Sequence, residues 1–327
     1  NRAFTTLEGF KTYFVESYPG IRSELAKNGL VELQVPEVAA NITQHELDAI
    51  LCILLEVASE HVLDEAPFSK STDALCTIYD AAIRTTVYVD EAPDFSATQL
   101  RCMRLLSHPL LPNIVAVGDL MQKLSPHGIS DWDECSWAFG NYETHDLKTV
   151  YRHSSILFEL AQGLYGGTVS VTNGYDSSRE NRKPIAKAYQ SNDDLRAWLV
   201  EAIIEASGRF EQMPSMAIFV ETESDIERIH DLVHDDLFRS GIIAEKCPKG
   251  KIASADNVKI MTIDYIKGLE FECVFIIDID LIATRYRDFA ARVLYLGATR
   301  AASLLGIAYG IEFPTELNKV KNFFNFV

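Results

Sequence analysis

The hydrophobic positions change their period near residue 85. Before it, apolar residues recur at helical spacing. The segment NITQHELDAILCILLEVASEHVL carries Thr43 with Glu46 three residues on, a capping box, and apolar positions then follow every three or four residues. After it, short Val- and Ile-rich runs alternate with helical stretches. TTVYVD (85–90), NIVAVGD (113–119), MAIFVE (216–221), GIIAEKC (241–247), VKIMTI (258–263), CVFIIDID (273–280) and LLGIAYG (304–310) predict strands. Helices are predicted over 96–111, 154–165, 191–207, 223–241 and 288–303. Continuous apolar strands alternating with helices predict an α/β fold of parallel sheets covered on both faces. In such folds the chemistry is expected at the carboxyl ends of the strands. AILCILLEVA predicts a buried helix and falls short of the roughly 18 apolar residues that cross a bilayer.

Composition narrows the picture. The 327 residues allow two domains, with 47% hydrophobic and 24% charged residues, an ordinary globular balance. The formal net charge of -17 opposes a whole-surface attraction to nucleic acid, so any such binding needs a local basic groove. Six scattered cysteines without a C-x-x-C pair read as reduced thiols of a cytoplasmic protein, and no signal peptide is evident. The first residue is Asn1 rather than Met, which leads us to expect a portion of a longer protein.

The candidate chemistry lies where the strands end. Asp90 and Glu91 close the first strand; an Asp there suits Mg2+ beside a phosphate, and the adjacent Glu suits activation of a water. The second strand ends in Gly118 and Asp119, with Gln122 three residues on, a side chain suited to a phosphate or a water. TVYRHSS offers the aromatic face of Tyr151 and the planar fork of Arg152. MTIDYIKGLEFECVFI joins two strands through Lys267-Gly268-Leu269-Glu270-Phe271, and LYLGATRAAS puts Thr299 and Arg300 on a helix before the last strand.

In order and spacing these motifs resemble those of the UvrD-like, superfamily-one helicases, including the HelD-like branch. DEAPD stands for the family's DEAQD, VGDLMQ for VGD-x-x-Q, YRHS for YRS, KGLEFE for KGLEFD and LYLGATRA for its L-Y-V-A-x-TRA, over about residues 85–310. The resemblance implies RecA-like parallel sheets of the P-loop NTPase type. Residues 1–84 would then be a mainly helical segment inserted in the first domain. Residues 85–148 would complete the first RecA-like domain, and 149–327 would form the second. It further implies ATP hydrolysis in the cleft between the two domains, coupled to 3'-5' movement on single-stranded DNA, with single-stranded or duplex DNA as partner and RNA an alternative. Asp90 would hold Mg2+ and Glu91 would activate the hydrolytic water. Gln122 would sense the γ-phosphate, and Tyr151 would stack on the base. Arg152 and Arg300 would be arginine fingers, worth about 10³–10⁵ in rate in such enzymes. Glu270 would contact the ribose, and the Gly268 turn would lie near nucleic acid. A protein partner such as RNA polymerase or a nuclease fits residues 1–84.

Three departures stand out. Pro93 replaces a glutamine and removes a side-chain amide and a backbone donor. The family's base-stacking tryptophan motif is replaced by KLSPHGISDWDECSWAFG, where Trp132 and Trp137 are flanked by Asp131, Asp133 and Glu134 and read as packing residues. No G-x-x-x-x-G-K-[ST] loop occurs; GKIASADN (250–257) lacks the preceding glycine and the adjoining hydroxyl. The expectation is a helicase portion whose phosphate loop lies upstream and which turns over ATP poorly alone. The alternative is a degenerate, non-catalytic helicase-like scaffold. Two lesser features read as surface: His230 and His234, four apart without a third ligand, and the basic loop SSRENRKPIAK (177–187) with Arg179, Arg182, Lys183 and Lys187.

Overall fold

The structure is a computed structural model. It describes residues 43–63, 74–123, 125, 127–147, 154–165, 182–252, 254, 256–285 and 290–327, together with Gly20 and Ser23. The chain divides into two compact units, Asn1–Thr144 and His145–Val327.

In the first unit, helix α1 (Gln44–Leu63) starts at the capping box expected from the sequence: Glu46 N–H donates to Thr43 Oγ1 and Thr43 N–H to Glu46 Oε2. Helix α2 (Ala74–Ala82) and helix α3 (Ala97–Leu105) pack with it around Cys52, Leu55, Ala58, Leu75, Tyr79, Cys102 and Leu105. The buried Tyr79 hydroxyl donates to Leu105 O at 2.7 Å. α1 is less buried than its composition predicts, because Leu47, Leu51 and Ile53 stay exposed on its outer side.

Strands β1 (Val87–Val89) and β2 (Ile114–Ala116) run parallel, with Tyr88 opposite Val115. One face of this pair packs Val89 onto Leu100, Ile129, Cys135 and Ala138, the last two from helix α4 (Cys135–Phe139). The expectation of burial on both faces fails here: alternation puts Tyr88, Val115 and Val117 on the other side, where Tyr88 is 78% exposed. Two of the acidic residues around Trp132, Asp131 and Glu134, are caps. Asp131 accepts from Asp133 N–H, and Glu134 Oε1 from the Ser130 and Asp131 amides. Trp132 packs against the core, as expected, whereas Trp137 is exposed.

Among the described residues the second unit holds a seven-stranded, wholly parallel sheet. It comprises β3 (Ile185–Ala188), β4 (Met216–Val220), β5 (Ala244–Lys246), β6 (Val258–Thr262), β7 (Phe271–Ile276), β8 (Ala301–Tyr309) and β9 (Asn325–Phe326), in the order β5-β6-β4-β7-β8-β3-β9. Helices α5 (Ser155–Tyr165), α6 (Asn192–Ser207), α7 (Glu223–Arg239), α8 (Ile279–Arg285) and α9 (Ala290–Arg300) flank it. β4 is buried at every position, as a central parallel strand must be. One core joins Leu195, Leu199 and Ile203 of α6 and Ile226, Ile229 and Val233 of α7 to Ile218, Ile260 and Phe275 of the sheet. This is the RecA-like α/β architecture the sequence implied.

Three local expectations are corrected. CVFIIDID is strand only to Ile276: Asp278 turns left-handed at φ 58 and its carbonyl accepts the first amides of α8, from Leu281 and Ile282. The helix expected to run to residue 303 stops at Arg300, because Ala301 already pairs with Phe271 in the sheet. The basic stretch 177–187 is not all loop: its end is β3, where Lys187 pairs with Asp194 at 2.8 Å. Arg182 meets Glu205 at 3.5 Å, and Arg179 lies outside the described residues.

Candidate functional site

In the first unit the candidate groups stand where the sequence places them, at the carboxyl ends of β1 and β2. Glu91 adopts φ 51, ψ 38, a left-handed conformation costly for a side chain with a Cβ. That turn lets Asp90 Oδ1 accept the Glu91 amide at 2.8 Å. The chain then re-enters the sheet through Ala92 N–H donating to Val117 O at 2.9 Å. After β2, Asp119 caps a short 3-10 turn, with Oδ1 accepting from Met121 N–H and Oδ2 from Gln122 Nε2 at 3.3 Å. Gln122 is thereby tied to Asp119.

Pro93 has a structural role that the sequence did not disclose. It is buried between two glycines. A Cβ on Gly118 would lie 2.3 Å from Pro93 Cδ, and one on Gly128 would lie 2.0 Å from Pro93 O. Lys123, Ser125, Gly128 and Ser130 are also tied down: buried Lys123 donates Nζ to Gly128 O at 2.9 Å and Ser130 Oγ at 2.8 Å, and Asp94 accepts the Ser125 amide.

For Mg2+ the donor set is suitable in kind. Asp90 is an exposed hard-oxygen ligand held by a backbone bond. Among the described residues no group of three or more His, Cys, Asp or Glu side chains is arranged as a cage. Mg2+ commonly needs no cage, only one or two carboxylates with phosphate oxygens. His230 and His234 are stacked, with ring centroids 4.7 Å apart, and belong to no such group.

In the second unit the candidate groups do not gather at the carboxyl ends. β7 and β8 pair Phe271 with Ala301, which sets Glu270 and Arg300, the residues just before them, at the same amino edge of neighbouring strands. Ser154, two residues after Arg152, donates its amide to Ala302 O at 3.4 Å. Tyr151 and Arg152 themselves lie outside the described residues. Gly268 sits at φ 68 in the connection leading to Glu270, with nothing near the place a Cβ would take; conformation, not space, asks for glycine. Arg300 is delivered by α9, which approaches β7 closely at Gly297, where a Cβ would fall 2.5 Å from Ile276 Cδ1.

The carboxyl ends of β3, β4, β7 and β8 hold a different cluster. The buried Asp278 accepts from the Tyr189 hydroxyl and from Arg228, whose Nε also donates to Asp225 Oδ1 at 3.1 Å. Asp280 Oδ2 accepts the Gly310 and Ile311 amides. Burial, then the bond to Asp278, raises the Tyr189 pKa. Burial would lower that of Arg228, but Asp278 and Asp225 outweigh it and raise it. This arrangement ties strand ends together, and its groups are engaged with one another or with backbone amides, except Asp280 Oδ1, which is buried without a hydrogen-bond partner among the described residues.

Comparison with known proteins bears on the second unit. Residues 257–308 match the UvrD-like helicase C-terminal domain. That stretch runs from the start of β6 through KGLEFE and LYLGATRA to β8. Among solved structures, the C-terminal domain of a possible DNA helicase from Lactobacillus plantarum WCFS1 is similar at 16% identity and a TM-score of 0.41, over 54% of this chain and 98% of that one. No curated protein matches the chain. Within the parallel α/β unit, residues 257–308 are therefore similar to the UvrD-like helicase C-terminal domain.

Proposed function

We propose that this chain is part of an ATP-dependent nucleic-acid helicase or translocase that moves 3'-5' on single-stranded DNA in the cytoplasm. The observation that carries the reading is the alignment of Glu270 with Arg300, and of Ser154 beside them, at the amino edge of β7 and β8. The pairing of Phe271 with Ala301 aligns Glu270 and Arg300, and the Ser154 bond to Ala302 ends the YRHS segment beside them. Phosphoryl transfer asks mainly for positioned charge, and an edge that carries Arg300 and Glu270 side by side is suited to supply it.

Each unit has its own share in this reading. Asp90 holds Mg2+, which when bound neutralises phosphate charge. Glu91, on the left-handed turn beside Asp90, takes a proton from the attacking water. Gln122, tied to Asp119, orients that water or the γ-phosphate. Arg300 and Arg152 stabilise the charge on the transferring phosphoryl group, Glu270 holds the ribose and Tyr151 stacks on the base. The sequence contains no G-x-x-x-x-G-K-[ST] loop, so residues 1–327 alone bind ATP weakly and turn it over slowly or not at all.

The test is a titration of the purified chain with Mg2+ and a fluorescent ATP analogue. Binding in the millimolar range is expected, weakened about tenfold by Arg300→Ala, equivalent to ~1.4 kcal/mol, and unchanged by Arg239→Ala. Binding indifferent to Arg300→Ala, or rapid turnover that survives Glu91→Gln, overturns the reading.

A further inference from the structure

The cysteines are scattered along the sequence, but the fold of the first unit brings two of them into one cluster. Cys52 on α1 and Cys102 on α3 both belong to the core that holds these helices together, and they are 6% and 7% exposed. The contacts around them fix the register of the two helices. Gln99 Nε2 donates to Asp48 Oδ2 at 2.9 Å, one turn before Cys52 on α1. Arg101 Nε donates to Glu56 Oε1 at 3.0 Å, one turn after it. Between these clamps Cys102 Sγ donates to the Asp48 carbonyl at 3.6 Å. In a helix that carbonyl also accepts the amide of the residue four positions on, which is Cys52. Cys102 Sγ therefore lies no more than about 6.5 Å from the Cys52 nitrogen. Helical side chains lean toward the amino end, so the Cys52 thiol leans toward the turn that Cys102 touches.

The two thiols are unequal. The Cys102 S–H, rotated from the carbonyl to the Cys52 sulfur, holds the Cys52 thiol below its ordinary range; burial and Glu56 oppose this, and Arg101 supports it. Cys102 is pushed up by the same bond to Cys52 and then by burial. Cys135, Cys247 and Cys273 are raised chiefly by burial, and no second thiol acts on them. One sulfur that ionises more readily, with a second beside it, suits an attacking and a resolving cysteine.

We propose that Cys52 and Cys102 form a redox modification site, which hydrogen peroxide converts to a disulfide that staples α1 to α3. A peroxide is little larger than water and suits a site this buried. The Cys52 thiolate attacks one peroxide oxygen and the O–O bond breaks. The leaving hydroxide takes the proton given up by Cys52 and becomes water, and Cys52 is left as a sulfenic acid. The Cys102 sulfur then attacks the Cys52 sulfur, the S–O bond breaks, and the departing hydroxide takes the Cys102 proton. Two thiols lose two electrons and two protons, and one peroxide becomes two waters. α3 is capped by Ser96, directly after DEAPDF, so the staple fixes α1 to the helix that follows Asp90 and Glu91. The proposal is independent of the helicase reading.

The test treats residues 1–327 with a small excess of hydrogen peroxide, blocks the remaining thiols with N-ethylmaleimide in denaturant, and maps unreduced peptides by mass spectrometry. A Cys52–Cys102 crosslink is expected to dominate, and dithiothreitol should release it. Cys102→Ser should leave Cys52 as a sulfenic acid that dimedone traps, whereas Cys52→Ser should slow oxidation of Cys102 about tenfold or more. Cys76→Ser, which alters a buried thiol of α2 outside the pair, should leave the crosslink in place. In urea, peptides covering 44–63 and 97–105 should keep more hydrogen-exchange protection in the oxidised protein than in the reduced one, because the crosslink constrains the unfolded chain. Cys52 and Cys102 that stay reduced while other thiols oxidise, or crosslinks spread without preference over the six cysteines, overturn the proposal. Sulfenic acid trapped as readily on Cys102 in Cys52→Ser as on Cys52 in Cys102→Ser overturns the assignment of Cys52 as the attacking sulfur.

Discussion

Gly118→Ala probes the packing behind the paired carboxylates. The new Cβ would lie 2.3 Å from Pro93 Cδ and 3.1 Å from both Pro93 Cγ and Ala92 N. Carbon atoms ordinarily meet at about 3.5–4.0 Å, so the overlap exceeds an ångström. Little around it can give way. The proline ring is stiff, Ala92 N–H is bonded to Val117 O, and Gly128 closes the other side of Pro93. Overpacking costs typically 1–3 kcal/mol, and this rigid setting places the substitution near the upper end, at about 3 kcal/mol. Gly118 also sits at φ 157, a backbone strain that alanine bears in either background; Pro93→Ala removes Cδ and Cγ and leaves one close approach, so there the overpacking share should fall to about 1 kcal/mol, a coupling of about 2 kcal/mol. The assay is urea unfolding followed by hydrogen-exchange mass spectrometry on peptides covering 87–95 and 114–119. Those peptides report the first unit alone, which matters because a two-unit chain need not unfold in one step. Equal costs in the two backgrounds, within about 0.5 kcal/mol, would refute the reasoning.

Three further outcomes are expected. Glu91→Gly should leave the first unit about 0.5–1 kcal/mol more stable by relieving the left-handed backbone, whereas Glu91→Val should cost about 1–2 kcal/mol; urea midpoints read both. Asp225 is pushed up by burial but pulled down further by Thr222 and Arg228, so its folded pKa lies below the ordinary 3.8. Its contribution is then complete above that value and lost as pH falls through the folded pKa, and the stability gap between wild type and Arg228→Gln should shrink in strong acid. Burial raises the thiols of Cys135 and Cys247 to about 11 and Cys273 to about 12, so Ellman's reagent at pH 8 should reach Cys135 only when the first unit opens, and Cys247 and Cys273 only when the second does.

Much of the second unit was legible because its strands are long and apolar. MAIFV and VKIMT could hardly be anything but central strands. What failed to show was decided by distant partners. β3 is four residues, Ile-Ala-Lys-Ala, whose lysine reads as surface until Asp194 is found beside it. Ala301 and Ala302 favour a helix by propensity, and only the pairing of Ala301 with Phe271 pulls the chain into the sheet. Asp278 ends β7 early because Arg228 and Tyr189, from other elements, hold its carboxylate. The site residues divide in the same way. Asp90, Glu91 and Gln122 were legible with their elements, since strand ends are local. That Glu270 and Arg300 share an amino edge depends on strand order and register, which no single stretch of sequence encodes. Pro93 was noticed as a departure, but its reason, two glycines 10 residues apart that both leave room for it, appears only in the packing.

The most direct test of the central claim is a hydrogen-exchange footprint of residues 1–327 with and without millimolar Mg2+ and ATP. The account predicts added protection in peptides covering 266–272 and 298–303, at the amino edge of β7 and β8, and loss of that protection in Arg300→Ala. Protection instead around Tyr189, Asp278 and Gly310 at the carboxyl ends, or a footprint that Arg300→Ala leaves intact, would contradict it.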